Sequence, residues 1–298
     1  MKIGYACINM TLGDQKITTN RGMVRKTFDT KGLKYVSELS LQNVIDLFKV
    51  IKWNQEHGIT LYRMSSDMFP WMSEYSFDDL PDIQKIRKVL SEIGEFVKKH
   101  NHRITFHPGP FNVLASPNQD VVRKTLADLN KHSQIMDMIG LPVSPLSKIN
   151  IHVGGAYGNK EEALKRWVTH FHLLDDNTKK RLTIENDDKE NCYTVKDLLF
   201  IHQETKIPIV FDYHHHNCHS GGMTIQEGLE ITLPTWFDVT PVVHISEPRD
   251  EKNFRAHHDY VQNKVNTFGY DLDLMFEAKS KELSVLEYRK NFDFLLVG

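Results

Sequence analysis

Six residues able to bind a divalent metal recur at one point of a repeating pattern: His107, His152, Glu185, Asp212, His244 and Glu277. Each follows two or three apolar residues, as ITF-His, INI-His, LTI-Glu, IVF-Asp, VV-His and LMF-Glu. Any one alone reads equally well as a hydrogen-bonded core histidine or a helix-capping acid. Six in register at the ends of six consecutive apolar runs are hard to ascribe to coincidence. Three carboxylates gathered at an apolar mouth would repel one another and raise each other's pKa unless cations compensate. Neutral imidazoles supply no such charge; divalent metals do. Nitrogen and oxygen ligands without thiolate suit Zn2+, Mn2+ or Fe2+, and ligand type alone does not choose. The set exceeds the three protein ligands of a usual mononuclear catalytic zinc site, so a multinuclear centre with a bridging carboxylate is the economical reading. Further histidines lie close by. FDYHHHNCH places His214, His215, His216 and His219 just beyond Asp212, and RAHHDY supplies His257 and His258. Such centres serve phosphodiester hydrolysis and sugar isomerisation alike, so other features must decide.

The elements that would position these residues alternate along the chain. Apolar runs at 2–7, 59–65, 103–107, 148–153, 181–185, 207–212, 241–245 and 271–277 read as strands. After a long polar loop to about Glu38, a helix is expected behind Ser40 as N-cap. Others follow at 81–100, 118–139, 160–174, 195–205 and 224–233, with a weak one near 261–268 and a last one at 281–292. Eight strand–helix units predict an α/β fold, a single (β/α)8 TIM barrel over residues 1–298, whose C-terminal strand ends converge on one face. Nearly continuous apolar strands suit a parallel sheet covered on both sides. A doubly wound open sheet is the alternative.

Composition narrows the class. The 298 residues are 40% hydrophobic and 26% charged, enough for a sizeable core and unlike a disordered chain. The net charge of −2 offers no overall basic field for nucleic acid. Three scattered cysteines exclude a disulfide framework and a thiolate zinc site, which favours an intracellular setting. No apolar run reaches the ~20 residues of a membrane span, and the first residues lack a secretory core. The 16 histidines equal the glycines in number and call for an explanation.

At these residues the chain resembles the UV damage endonuclease family, relatives of the endonuclease IV-type metal-dependent barrels. The resemblance runs over about residues 3–281, through GYACIN and TTNR (4–21), YRMSSDMFP (62–70), TFHPG (105–109), IHVGGAYG (151–158), LTIENDD (182–188), FDYHHH (211–216), VVHIS (242–246), RAHHDY (255–260) and EAKSKE (277–282). It implies incision of UV-damaged double-stranded DNA 5′ to the photoproduct, leaving a 3′-hydroxyl for repair by excision. It also implies three divalent ions, Mn2+ first, with Zn2+ or Mg2+ as alternatives. His107, His152 and Glu185 would hold one ion. Glu185, Asp212, His244 and Glu277 would hold a second, with Glu185 bridging, and His215 and His257 a third. Lys279 would join Glu185 as a catalytic residue by neutralising phosphate charge.

Tyr5 and Asn9 match family residues near the lesion. The first loop offers Arg21, Arg25, Lys26, Lys31 and Lys34 to phosphates. The chain departs from the family pattern after strand three. It reads HPGPF, so Pro110 and Phe111 stand where members commonly carry a Gln–Tyr wedge, and Phe111 keeps an aromatic face without the hydroxyl. Val242 likewise stands where some members carry lysine. The expected protein is a monomer, cytoplasmic or nuclear, with no membrane partner. A sugar isomerase or epimerase of the xylose isomerase-like barrels is the alternative, predicting about four ligands; a non-catalytic damage sensor is a third reading. Five histidines are thus assigned as ligands, His214, His216, His219 and His258 stay open, and the seven at 57, 100, 102, 132, 170, 172 and 202 are expected on helix surfaces or ends.

Overall fold

The computed structural model describes residues 1–292. Its strands are β1 (Ile3–Ala6), β2 (Leu61–Met64), β3 (Arg103–Phe106), β4 (Ile149–Ile151), β5 (Leu182–Glu185), β6 (Ile209–Val210), β7 (Val242–Ile245) and β8 (Asp273–Phe276). They form one sheet in the order β6-β5-β4-β3-β2-β1-β8-β7, parallel throughout. The ends meet at one residue pair, Asp212 with His244, where the His244 N–H donates to Phe211 O at 3.0 Å. The sheet is therefore a nearly closed barrel rather than an open sheet, and its seam falls on two of the candidate ligands.

Helices α1 (Met10–Gly13), α2 (Arg25–Glu56), α3 (Ile83–Lys99), α4 (Gln119–Ile139), α5 (Lys160–Phe171), α6 (Asp176–Arg181), α7 (Val195–Thr205), α8 (Tyr213–Cys218), α9 (Ile225–Thr232) and α10 (Lys281–Phe292) surround it. Several ends follow local chemistry. Asn118 caps α4 and Gly140 closes it in the left-handed region at φ 80°. Thr194 opens α7 with a reciprocal Thr–Asp cap, and Thr224 opens α9 in the same way with Glu227.

The largest difference from expectation is α2, which starts at Arg25 instead of after Ser40. Gly32, at φ 60°, kinks it. Ser40 is buried in mid-helix, and Ser37 exchanges hydrogen bonds with Asp82 at 2.8 and 3.1 Å. Small polar residues on the buried face had hidden the helical stripe. Residues 261–268 form no helix, and the short α6 and α8 were not foreseen. Asp212 creates α8 by accepting the His215 N–H at 2.7 Å.

Side chains alternate across a strand, so every second residue points into the barrel. One inward set is apolar: Ala6, Leu61, Val210, Trp236, Val242 and Met275 pack together. The rest is polar. Arg103 and Asp273, at the starts of β3 and β8, pair across the barrel floor at 2.9 Å, almost fully buried. The same guanidinium donates to the carbonyls of Thr240 and Leu146. Removing one partner of such a pair strands a buried charge at a cost of about 3–5 kcal/mol. Asp273→Asn should therefore lower the unfolding free energy by about that amount, read as a lower urea midpoint at unchanged slope.

Candidate metal centre

Glu185, the last residue of β5, has no exposed surface and lies at the middle of the site. Its Oε2 accepts a hydrogen bond from the Asn150 amide and lies 3.1 Å from His107 Nε2 and 3.9 Å from His152 Nε2. Its Oε1 lies 3.0 Å from His244 Nδ1 and 3.4 Å from His215 Nδ1. Glu277 sets its Oε1 3.0 Å from the same His244 nitrogen and is ion-paired with Arg63. The donor atoms fall into two groups, each within 4.8 Å: His107, Glu185, His244 and Glu277, and His152, Glu185 and His215. Glu185 belongs to both. The grouping differs from the partition that the resemblance implies, because His107 and His152 fall on different sides of Glu185.

Asp212 is wholly buried. Its Oδ1 caps α8, while Oδ2 has no hydrogen-bond partner and lies 3.9 and 4.0 Å from His215 Nδ1 and His244 Nδ1. An orphaned carboxylate oxygen beside imidazoles is costly without a cation, and this donor set fits divalent metal. His257 stands at the edge of the site. Its Nδ1 is 3.0 Å from the Glu277 backbone oxygen and 4.0 Å from Oε2.

The electrostatics reflect the crowding. Burial opposes ionisation of Glu185, but His244 and His152, with hydrogen bonds from His107 and His244, hold it well below the usual carboxylate range. Glu277 is likewise held low, burial being outweighed by Arg63 and His244. Burial pushes Asp212 up to about 6 against the opposing pull of His215. His107 is pushed down to about 4 by burial. His152 and His215 resist burial and rise to about 9 and about 10, the former through Glu185 and Asp187, the latter through Asp212, Glu185 and Glu277.

Four participants escaped the sequence reading: Arg63, Lys148, Asn150 and Asp187. Lys148 is fully buried with its Nζ 3.0 Å from His244 Nε2, and burial lowers it to about 7. Asp187 meets His152 Nδ1 at 3.1 Å. A period-two signal was present, since Lys148, Asn150 and His152 alternate along β4, as Arg103, Thr105 and His107 do along β3. Asn186 of the LTIENDD motif exchanges hydrogen bonds with the Asp212 backbone at 2.9 and 3.1 Å, fixing the end of β6.

The residues expected to meet DNA divide. Tyr5 is fully buried, its hydroxyl donating to Asn54 at 2.7 Å and accepting from Asn9 at 2.9 Å. Its ring shows no face to a base, so it supports Asn9, which is itself buried and caps α1. Arg21 turns inward to Asp46 at 2.7 Å. The loop is thereby pinned to α2, and this guanidinium is already spent. Phe111 is 88% exposed on the loop after β3, beside the exposed Pro110. Lys279 is exposed too, its backbone N–H donating to His258 O at 3.1 Å.

Of the open histidines, His214 and His216 are buried and meet backbone oxygens of Arg255 at 3.2 Å and Met223 at 3.0 Å, while His258 accepts from the Tyr260 N–H at 3.0 Å. Of the seven expected at helix surfaces or ends, His102, His132 and His170 are buried, His170 in the last turn of α5 and His132 within α4. Beside His152 and His215 opens a groove of about 490 Å³, walled by Pro110, Val113, Gly154, Lys189 and Arg255. Gly154 of the IHVGGAYG motif has φ 96°, and a Cβ there would stand 2.3 Å from Val113 Cγ1, so any other residue would strain the backbone and displace Val113.

Comparison with known proteins gives a consistent result. The family model for UV-endonuclease UvdE matches residues 1–295. A UV DNA damage endonuclease of Bacillus mycoides (strain KBAB4) is 38% identical over 84% of this chain and 80% of its own. The UV-damage endonuclease of Schizosaccharomyces pombe (strain 972 / ATCC 24843) is 35% identical over 98% of this chain and 51% of its own. The crystal structure of SacUVDE matches with a TM-score of 0.87 at 32% identity, covering 99% of this chain and 100% of the other. An L-ribulose 3-epimerase reaches only 0.55 at 15% identity, over 84% and 81% of the two chains, a likeness of fold alone.

The raised His152 and His215 values carry two consequences. Protons bound more tightly in the folded state stabilise it fully below the unfolded value of ~6.5, and that stability drains away as pH rises through about 9 and about 10. Metal-free protein should therefore become easier to denature over that window. Histidines must also be neutral to ligate, so filling the His152–Glu185–His215 group near neutral pH should release on the order of two protons. Calorimetric titration in buffers of different ionisation enthalpy counts them; a buffer-independent heat would mean that these imidazoles are already neutral.

Proposed function

This chain belongs to the UV-endonuclease UvdE family, and from that premise we propose that it incises UV-damaged double-stranded DNA on the 5′ side of cyclobutane pyrimidine dimers and 6-4 products, leaving a 3′-hydroxyl. The observation that carries the reading is the buried Glu185 shared by two groups of metal donors. His107, His244 and Glu277 would hold one divalent ion with it, and His152 and His215 another. Asp212 and His257 remain as donors for a third, Mn2+ being the first candidate and Zn2+ or Mg2+ the alternatives. Bound divalent ions supply Lewis acidity for in-line attack of water on phosphorus and offset charge on the leaving oxygen.

The protein's own groups prepare that chemistry. Asn150 orients Glu185, Arg63 clamps Glu277, and Asn186 fixes the chain at Asp212. Lys279, exposed two residues beyond Glu277, would neutralise phosphate charge. Phe111 projects into solvent, where its ring can stack on an unpaired base, and crosslinked or damaged bases cost less to unstack than normal ones. A monomer acting inside the cell fits this reading, and no helix among the described residues is long and apolar enough to cross a membrane. An epimerase reading has only the distant fold likeness behind it and leaves the extra donors and the exposed Phe111 without a role.

A UV-irradiated, end-labelled duplex incubated with the protein and Mn2+ should be cut 5′ to the photoproduct, with an undamaged duplex left intact. Absence of that cut across a metal screen would overturn the proposal. Glu185→Gln should lower the cleavage rate by at least ~100-fold, more than the 10–100-fold typical of losing an outer-shell partner. Phe111→Ala should weaken binding to damaged duplex by about 1–3 kcal/mol, measured by fluorescence anisotropy, with the rate at saturating DNA within a few-fold of the parent.

A further inference from the structure

The candidate ligand histidines each have one ring nitrogen tied to a group outside the donor cluster. Nδ1 of His107 lies 3.2 Å from Pro108 O, that of His152 3.1 Å from Asp187 Oδ1, that of His215 2.9 Å from Asn186 O, and that of His257 3.0 Å from Glu277 O. In all four the tied atom is Nδ1 and the partner is an oxygen, although Nδ1 of His215 also lies 3.4 Å from Glu185 Oε1. His244 is reversed. Its Nε2 meets the amine of Lys148 at 3.0 Å, and its Nδ1 faces Glu185 and Glu277, each at 3.0 Å.

We infer that Lys148 is a positioning residue for His244, holding the ring by Nε2 so that Nδ1 is aimed between the two carboxylates. Three observations support this. Lys148 reaches across the barrel from the start of β4 to β7, along the same inward row as Asn150 and His152, and has no exposed surface. Burying a lysine costs free energy that an apolar side chain of similar length would not, so stability does not account for its presence. His244 also lies on the barrel seam, where β7 meets the chain after β6 at a single residue pair. With so little backbone support on that side, the ring is held by its contacts at both nitrogens, and Lys148 is the one that grips Nε2. Outer-shell partners that orient ligating histidines typically change metal affinity 10–100-fold when removed. The inference rests on the divalent-metal reading proposed above.

Co2+ binding tests it, because both the affinity and the visible spectrum report the ligand set independently of activity. Lys148→Met should bind one equivalent of Co2+ about 10–100-fold more weakly and change the spectrum. Its metal-free form should need no less urea to unfold. Lys148→Gln, which keeps a polar partner without the charge, should recover most of the affinity; a Gln variant as poor as Met would assign Lys148 to charge compensation instead and overturn the inference. In a His244→Ala background, Lys148→Met should cost nothing further, and an undiminished effect there would also overturn it. So would a Lys148→Met protein with parental affinity and spectrum, or one that cannot fold. If the parent protein itself binds no Co2+, the metal reading fails and this inference with it, an outcome distinct from a parent that binds and a variant that is unchanged.

Discussion

A carboxylate with no access to water is the constraint around which this molecule is arranged. Glu185 cannot keep its charge at the centre of a barrel unless the surroundings replace lost hydration. Asn150 and the imidazoles of His107 and His244 do part of that work through direct contacts. They are not enough for the whole cluster, since the buried Asp212 and the half-buried Glu277 add two more acids against Arg63 and Lys148. On the proposed function divalent cations would supply the balancing charge. The same crowding makes His152 and His215 hold protons strongly in the metal-free chain, so protons and metals compete for one set of atoms.

The barrel makes such a cluster feasible because parallel strands all present their C-terminal ends on the same side. Strands β3, β4, β5 and β8 each deliver a donor at or just past the last paired residue, β7 delivers His244 one position before its end, and β6 delivers Asp212 two positions beyond its end. Alternation then decides what lies beneath. Thr105, Lys148, Asn150 and Thr183 occupy the inward rows below His107, His152 and Glu185, and Thr183 donates to Asn150 at 2.8 Å. An interior this polar survives only because cross-barrel contacts satisfy most of it, down to the Arg103–Asp273 pair at the floor.

How far these features can be read from the sequence follows from their range along the chain. The strand-end donors were legible because each interrupts an apolar run at a fixed place. Helix ends with a local cap were legible too, as at Asn118, Gly140 and Thr194. The start of α2 was not, because Ser37 and Ser40 point into the interior while Gly32 reads as a stop. Its true partners, Asp82 and the β1 loop, lie far along the chain. Lys148 and His244 are 96 residues apart, and no local pattern announces their contact. The partners of Tyr5 and Arg21 were hidden for a related reason: Asn54 and Asp46 of α2 are brought near only by the folded barrel.

The inward turn of Arg21 bears on how a chain with net charge −2 would attract a polyanion. Arg25, another cation of the first loop, is paired with Asp29 at 2.9 Å and Glu74 at 3.5 Å, which cancels much of its field. The basic surface around that loop is thereby left to Lys26, Lys31 and Lys34, all exposed. On the proposed function divalent charge at the centre would add to this, assisted locally by Lys279, Lys189 and Arg255. Metal loading and DNA capture would then be linked: in the metal-free protein the protons on His152 and His215 offset the charge of Glu185, Asp212 and Glu277, and divalent ions that displace those protons would add positive charge at the barrel mouth, where a phosphate would sit.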